Sequence, residues 1–275
     1  MLELLDYQFF RLALAGVAII SVAAALIGTY IITRRMVAIA GGVTHACFGG
    51  LGLGYWLGLN PVIMAAVFAV VSSLGVDWMA LRLRVRQDSA IAVIWALGMA
   101  AGVLFVFLTP GYVPELNSFL FGNILTVTPS DLLVFAIYTA VLITIFLAAF
   151  PLIVTCAFDR DFARVAGLPV RTVNLVMTVM TALCIVLTIR LVGIMLLMSM
   201  LSLPMMIAET FTHKLKTMMA ASALISLLCS IAGLFAGAVI DVPCSALIVI
   251  IMAAAFLITR PLSAIFSRPT LPHRD

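Results

Sequence analysis

Charge is what this sequence has least of. Asp, Glu, Lys and Arg together make up 9% of the 275 residues, where a soluble domain carries about 25%. With 65% hydrophobic residues and a mean hydropathy of +1.30, the chain reads as a polytopic membrane protein. Its net charge of +4 therefore describes membrane topology, and a nucleic-acid partner is not expected. The five cysteines form no C-x-x-C pair and lie in apolar segments, so neither a disulfide framework nor a zinc ribbon is expected, and buried free thiols are. The chain has no G-x-x-x-x-G-K-[ST] loop, no H-E-x-x-H, no G-x-S-x-G and no intramembrane acid pair, which excludes the common ATPase, metalloprotease and hydrolase chemistries. The start, MLELLDYQFF, is acidic and runs directly into an apolar segment, so no cleavable signal peptide is expected.

What is present is span after span. A hydrocarbon core of about 30 Å needs about 20 apolar residues per helix. On that rule spans fall near 12–33, 39–58, 61–81, 89–109, 130–156, 172–190, 192–210, 216–238 and 243–260. The fold class is an all-α transmembrane bundle of about nine spans, with eight as the alternative, because Gly193 and Pro204 make the seventh short or broken. Under nine spans Arg34, Arg35, Arg82, Arg84, Arg86, Arg160, Arg164, Arg171, Lys214, Lys216, Arg260, Arg268 and Arg274 share one side, and only Arg11 and Arg190 lie near the other. By the positive-inside rule the C-terminus is cytoplasmic and the N-terminus outside. Residues 1–275 read as one integral-membrane domain, with a cytoplasmic loop at 157–171 and a flexible cytoplasmic tail at 261–275. The outward stretch 111–131 mixes aromatic and apolar residues, and is expected to lie along the interface or to dip back into the protein.

Two stretches stand out. The first is RRMVAIAGGVTHACFGGLGLG, 34–54, with a basic pair, six glycines and His45 inside an apolar surround. A polar group at that depth needs a partner or a job, so His45 is either a packing histidine bonded to a neighbour or part of a site. Gly41, Gly42, Gly49 and Gly50, with Gly52 and Gly54, offer small faces for close helix packing, or a hinge or unwound section. The second is AFDRDFARVAGLPVR, 157–171. Asp159 stands at an N-cap position and Asp161 in the first turn, while Gly167 and Pro169 end the helix. The result is a two-turn amphipathic helix with Phe162, Val165 and Ala166 as its apolar side and Ala163 and Gly167 permitting close approach. Such a knob suits a partner's groove, or is an ordinary surface helix.

Taken together, Arg34-Arg35-Met36 followed by His45 and the glycine-rich run, FDRDFARVAGLPVR at 158–171, VGIMLLMSMLSLPMMIA at 192–208 and IDVPCSALIVI at 240–250 resemble the permease family of zinc-, manganese- and iron-importing ABC transporters. The matches keep the family's order over most of the chain. The resemblance implies that the chain is a transporter subunit rather than an enzyme, in the plasma membrane. It would work with a second copy of itself, cytoplasmic ATP-binding subunits gripping the helix at 159–167, and an extracytoplasmic metal-binding protein. No permanently bound cofactor is implied; a divalent metal ion would be the cargo, zinc favoured over manganese or iron.

In the family an Asp and a His of the second span are thought to hold metal; the matching positions here are Gly42 and His45. The histidine carries over and the aspartate does not. One imidazole cannot form the four-coordinate site that zinc prefers, so the missing anion must come from elsewhere. Asp241 in the last motif is the candidate, its alternative being a helix-terminal carboxylate beside Pro243. Glu209 is expected at the interface, paired with Lys214 or Lys216, and Asp77 in an ion pair with the Arg82–Arg86 cluster. The methionines around 195–206 are expected to be packing material. Rival functions are an ABC permease for a metal chelate and an ATPase-independent secondary transporter.

Overall fold

A computed structural model describes residues 6–110, 122 and 124–266. All the regular structure described is helical: α1 (Gln8–Thr33), α2 (Val37–Leu57), α3 (Pro61–Arg82), α4 (Gln87–Leu108), a single 3-10 turn (Ile124–Thr126), α5 (Pro129–Phe158), the short α6 (Arg160–Val165), α7 (Val170–Phe211), α8 (Leu215–Ile240) and α9 (Cys244–Phe266). Local chemistry sets several boundaries. The Asn60 side chain accepts hydrogen bonds from the amides of Val62 (3.0 Å) and Ile63 (3.3 Å) ahead of Pro61 in the first turn of α3, and Thr128 caps α5 the same way, with Pro129 following.

Among the described residues eight helices are long and apolar enough to cross a membrane. One of them, α7, has 42 residues and would measure about 63 Å if straight, twice the hydrocarbon core. It is not straight. Gly193, at φ 80° and ψ 173°, breaks it into limbs 170–192 and 194–211, and the second limb returns. Asn174, near the start of α7, bonds Arg34, while Leu215, just past its end, lines a small cavity with Thr33. Both ends of α7 therefore meet the same end of α1. Arg190 instead faces Asp131 and Asn60 at the opposite end of the bundle. The eight helices thus make nine passages, as the hydropathy implies, with the break at Gly193; the helix runs through Pro204.

The remaining helices alternate in the same sense. Phe10 packs edge-on against Phe235 with ring centroids 5.0 Å apart, so α8 runs antiparallel to α1. Gly237 meets Cys244 across the turn into α9. One end of the bundle accordingly collects Arg34, Arg35, Arg82, Arg84, Arg86, Arg160, Arg164, Arg171, Lys214, Lys216 and Arg260; Arg11 and Arg190 stand at the other. Arg268 and Arg274 lie outside the described residues. α9 continues through Pro261 to Phe266, so the part of the expected tail before residue 267 is helix.

Of the stretch 111–131, residues 111–121 and 123 lie outside the described residues. The described part dips back into the protein. Ile124 is fully buried, and Gly122 (φ 54°) lies backbone to backbone on Val192 and Gly193, covering the point where α7 reverses.

Candidate transport site and coupling helix

α2 is the most enclosed of the long helices, and its glycines are the reason. It packs on α3, α4 and α7. A Cβ on Gly50 would lie 2.7 Å from the Cα of Ala65 in α3, and one on Gly54 2.6 Å from the Cα of Pro61. Towards α4, a Cβ on Gly52 would meet the Gly102 carbonyl oxygen at 2.6 Å and one on Gly49 the Gly98 oxygen at 3.1 Å. Gly41 faces the Met198 methyl group of α7 at 3.4 Å. Because α2 is continuous from Val37 to Leu57, these glycines serve close packing rather than an unwound section. Sequence reading missed the α4 half of this seam: Gly98 and Gly102 form a G-x-x-x-G pair, a signal that was available.

His45 stands midway along α2 and turns towards α4. Its ring stacks on Trp95, centroids 4.4 Å apart and planes 3° from parallel, with Phe48 farther off at 6.3 Å. Nδ1 is buried and has no hydrogen-bond partner among the described residues. The packing alternative required a bond to a neighbouring carbonyl or hydroxyl, and the hydroxyl and thiol beside it in the chain donate elsewhere: Thr44 to the Ala40 carbonyl at 2.5 Å and Cys47 to that of Val43 at 3.0 Å. Trp95 was missed from sequence. An indole at mid-membrane, away from the interfaces where tryptophan usually sits, was its only signal.

The structure does not bring the other candidate ligand to His45. Asp241 is exposed in the turn between α8 and α9, closing α8 in the left-handed conformation (φ 59°, ψ 47°), and α8 and α9 pack chiefly on α1, α7 and each other. A Cβ on Gly42 would run into the Cγ2 methyl of Ile91 in α4, so a side chain there requires Ile91 to shift. Among the described residues no group of three His, Cys, Asp or Glu side chains converges as a metal site. The cysteines are free, with Cys47, Cys156, Cys184 and Cys244 buried. Met200 and Met205 are buried packing residues, Met205 sulfur receiving the Thr29 hydroxyl at 3.4 Å.

At the basic end, α6 forms as its sequence dictates. The Asp159 carboxylate accepts from the amides of Asp161 (3.1 Å) and Phe162 (2.8 Å), and Gly167 follows at φ 73°. Phe162, Val165 and Ala166 are exposed, Val165 by 90%. Ala163 is not part of that outer face. It is fully buried against its own chain, and its carbonyl receives the Leu168 amide at 2.9 Å.

α6 is tied to the bundle through Asn174. The Asn174 side-chain oxygen accepts from Arg34 (2.5 Å) and from Arg160 (3.1 Å), while its amide nitrogen donates to Asp77 (3.0 Å), which also receives the Thr178 hydroxyl (3.0 Å). Arg34 donates in turn to the Tyr30 hydroxyl at 2.6 Å. One amide thus joins α6, the α1–α2 junction and α3. Asp77 sits in this network rather than in the expected ion pair with Arg82–Arg86. Nor does Glu209 pair with a lysine: the described ion pairs are Arg164–Asp161 and Arg190–Asp131, and Lys216 lies over the Phe150 ring at 5.0 Å. Asn174 and Arg160 were not singled out from sequence, where a lone polar residue one turn into a span carries no distinguishing pattern.

A bundle crossed nine times, with a capped helix held out at its basic end, has close counterparts among known proteins. Residues 6–262 match the model of the ABC 3 transport family. The chain belongs to that family. A probable metal transport system membrane protein of Chlamydia pneumoniae is 36% identical over 242 residues, 86% of this chain and 83% of the relative. The manganese transport system membrane protein MntC of Halalkalibacterium halodurans is 29% identical over 255 residues, 92% and 87% of the two chains. Among solved structures, PsaBC from Streptococcus pneumoniae in complex with Fab superposes with a TM-score of 0.82 at 27% identity, covering 94% of each chain. The expected family resemblance is thereby met. The chain is an integral-membrane subunit of a transporter rather than an enzyme, and ATP hydrolysis belongs to a separate subunit.

Proposed function

We propose that this chain is the permease of an ATP-driven importer of divalent transition-metal ions in the plasma membrane, with its basic end in the cytoplasm. The observation that carries the metal pathway is the imidazole of His45. A buried polar atom without a partner costs on the order of 1–3 kcal/mol, and Nδ1 of His45 bears that cost halfway along a membrane helix. A transient metal ligand is a role that repays it. The cargo we favour is manganese, the metal named for the MntC relative, over the zinc expected from the sequence. Cys47 turns away from His45 towards Leu51, Val62 and Val186, so this helix does not supply the soft thiolate that would favour zinc.

A single chain supplies one imidazole, so the remaining ligands would come from a facing second copy or from the binding protein that delivers the ion; Asp241, at the outer turn, would act at the entrance and not beside His45. Cytoplasmic ATP-binding subunits would grip Phe162, Val165 and Ala166, with Asp159 and Gly167 fixing the shape of α6. Asn174 would then pass their motion to the α1–α2 junction, nine residues or so before His45, converting the partner's two states into outward- and inward-facing forms.

The test is accumulation of manganese, zinc and iron in metal-starved cells, with the ATP-binding subunit co-expressed and membrane abundance matched. Wild type is compared with His45→Ala and Val165→Arg. Loss of manganese uptake in both supports pathway and docking together. Full uptake in His45→Ala removes the imidazole from the pathway, and uptake without any ATP-binding subunit overturns the importer itself.

A further inference from the structure

Between the end of α3 and α6 lies an open cleft of about 690 Å³, a size typical of ligand sites. Arg82, Arg160, Arg164 and Arg171 line it, and among the described residues no acidic one does. Arg164 is partly neutralised by Asp161 at 3.3 Å, and Arg160 donates to Asn174. Arg82 and Arg171 have no carboxylate partner among the described residues. The rest of the wall comes from the α6–α7 segment, Gly167 to Val170 with Asn174, and from an exposed apolar side of α3, where Trp78 and Leu81 are 56% and 66% exposed. Ile63, Val67 and Val71, also exposed, continue that side along the span. The cleft therefore opens where a bilayer surface would meet the end of α3, with an indole at the interfacial level. It is also separate from the docking tip. Arg160 and Arg164, one turn apart, flank the cleft, whereas Phe162 and Val165 point elsewhere on the same helix.

We propose that this cleft binds the phosphate group of an anionic membrane phospholipid, the guanidinium groups of Arg82 and Arg171 gripping the phosphate oxygens while Trp78 and Leu81 pack on the glycerol and upper acyl region. Guanidinium forks match phosphate geometry, and basic recesses beside membrane helices on the cytoplasmic side favour acidic headgroups. The site lies at the membrane surface, away from the mid-membrane His45, so its occupancy is separate from the cargo.

Trp78 is its own reporter. The chain has three tryptophans, and Trp56→Phe with Trp95→Phe leaves Trp78 as the sole indole. The full chain is placed in nanodiscs of phosphatidylglycerol and phosphatidylcholine, with one or the other brominated high on its acyl chains. Brominated phosphatidylglycerol is expected to quench Trp78 well beyond its mole fraction, and brominated phosphatidylcholine is not. Arg82→Gln and Arg171→Gln should each reduce the preference roughly fivefold, and Arg→Lys at the same positions, which keeps the charge and loses the fork, should reduce it by a smaller factor, which separates lost binding from a lost fold. Quenching that follows mole fraction for both lipids would overturn the proposal. Displacement by glycerol phosphate at matched ionic strength would assign the cleft to a soluble anion. Loss of the preference on adding the ATP-binding subunit would assign it to that protein's interface. Either result would overturn the lipid.

Discussion

Ile91 of α4 occupies the place that a side chain at position 42 of α2 would take. The aspartate that the family pattern has at this position is therefore absent from the sequence, and it would fit only if Ile91 shifted. Gly42→Asp should destabilise the chain by about 1–3 kcal/mol, the usual cost of overpacking, read as a lower melting temperature in detergent. Adding Ile91→Ala should recover most of that loss and set a carboxylate one helical turn from His45. Equilibrium binding of manganese to the double variant, tighter than to wild type, is the expected outcome.

Gly193 is the residue on which the return of α7 depends. Its φ of 80° and ψ of 173° belong to a region essentially reserved for glycine, and other residues held there are strained by roughly 1–3 kcal/mol. Gly122 adds a steric limit by lying directly on its backbone. Gly193→Val should lower membrane abundance sharply, whereas Gly167→Ala, where nothing lies within 4 Å of the missing Cβ, should cost only the conformational strain of its positive φ.

The exposed and buried faces of α6 separate docking from folding. Val165→Arg changes a 90% exposed side chain; normal abundance with loss of ATP-binding-subunit copurification and of uptake is expected. Ala163→Arg forces a long cation into a fully buried position, so it should fail in abundance before any effect on docking can be seen. Equal melting temperatures for the two variants would contradict this division.

Asn174→Leu removes the common partner of Arg34, Arg160 and Asp77 at once. Leaving such groups unpaired costs about 1–3 kcal/mol. If Asn174 carries motion from α6, ATP hydrolysis by the assembled complex should persist in this variant while metal accumulation falls by a larger factor than abundance does. A proportional fall in all three would reduce Asn174 to a structural bond.

The sequence determined this protein's class by itself. Spans of about twenty apolar residues can only be helices in lipid, where every backbone group must be satisfied within its own segment, and the segregation of arginines favoured nine passages over eight even though one helix is continuous apart from Gly193. The cap at Asp159 and the stop at Gly167 were equally legible, being contacts within a few residues of chain. What only the tertiary structure decided are the contacts between distant segments. Ile91 fills the space at Gly42, Trp95 lies on His45, Ala163 faces inward, Asp241 stands apart from the histidine, and Asn174 gathers three helices. Hydropathy records how deep a residue lies but not which neighbour it meets, and those meetings depend on how the helices are rotated against one another.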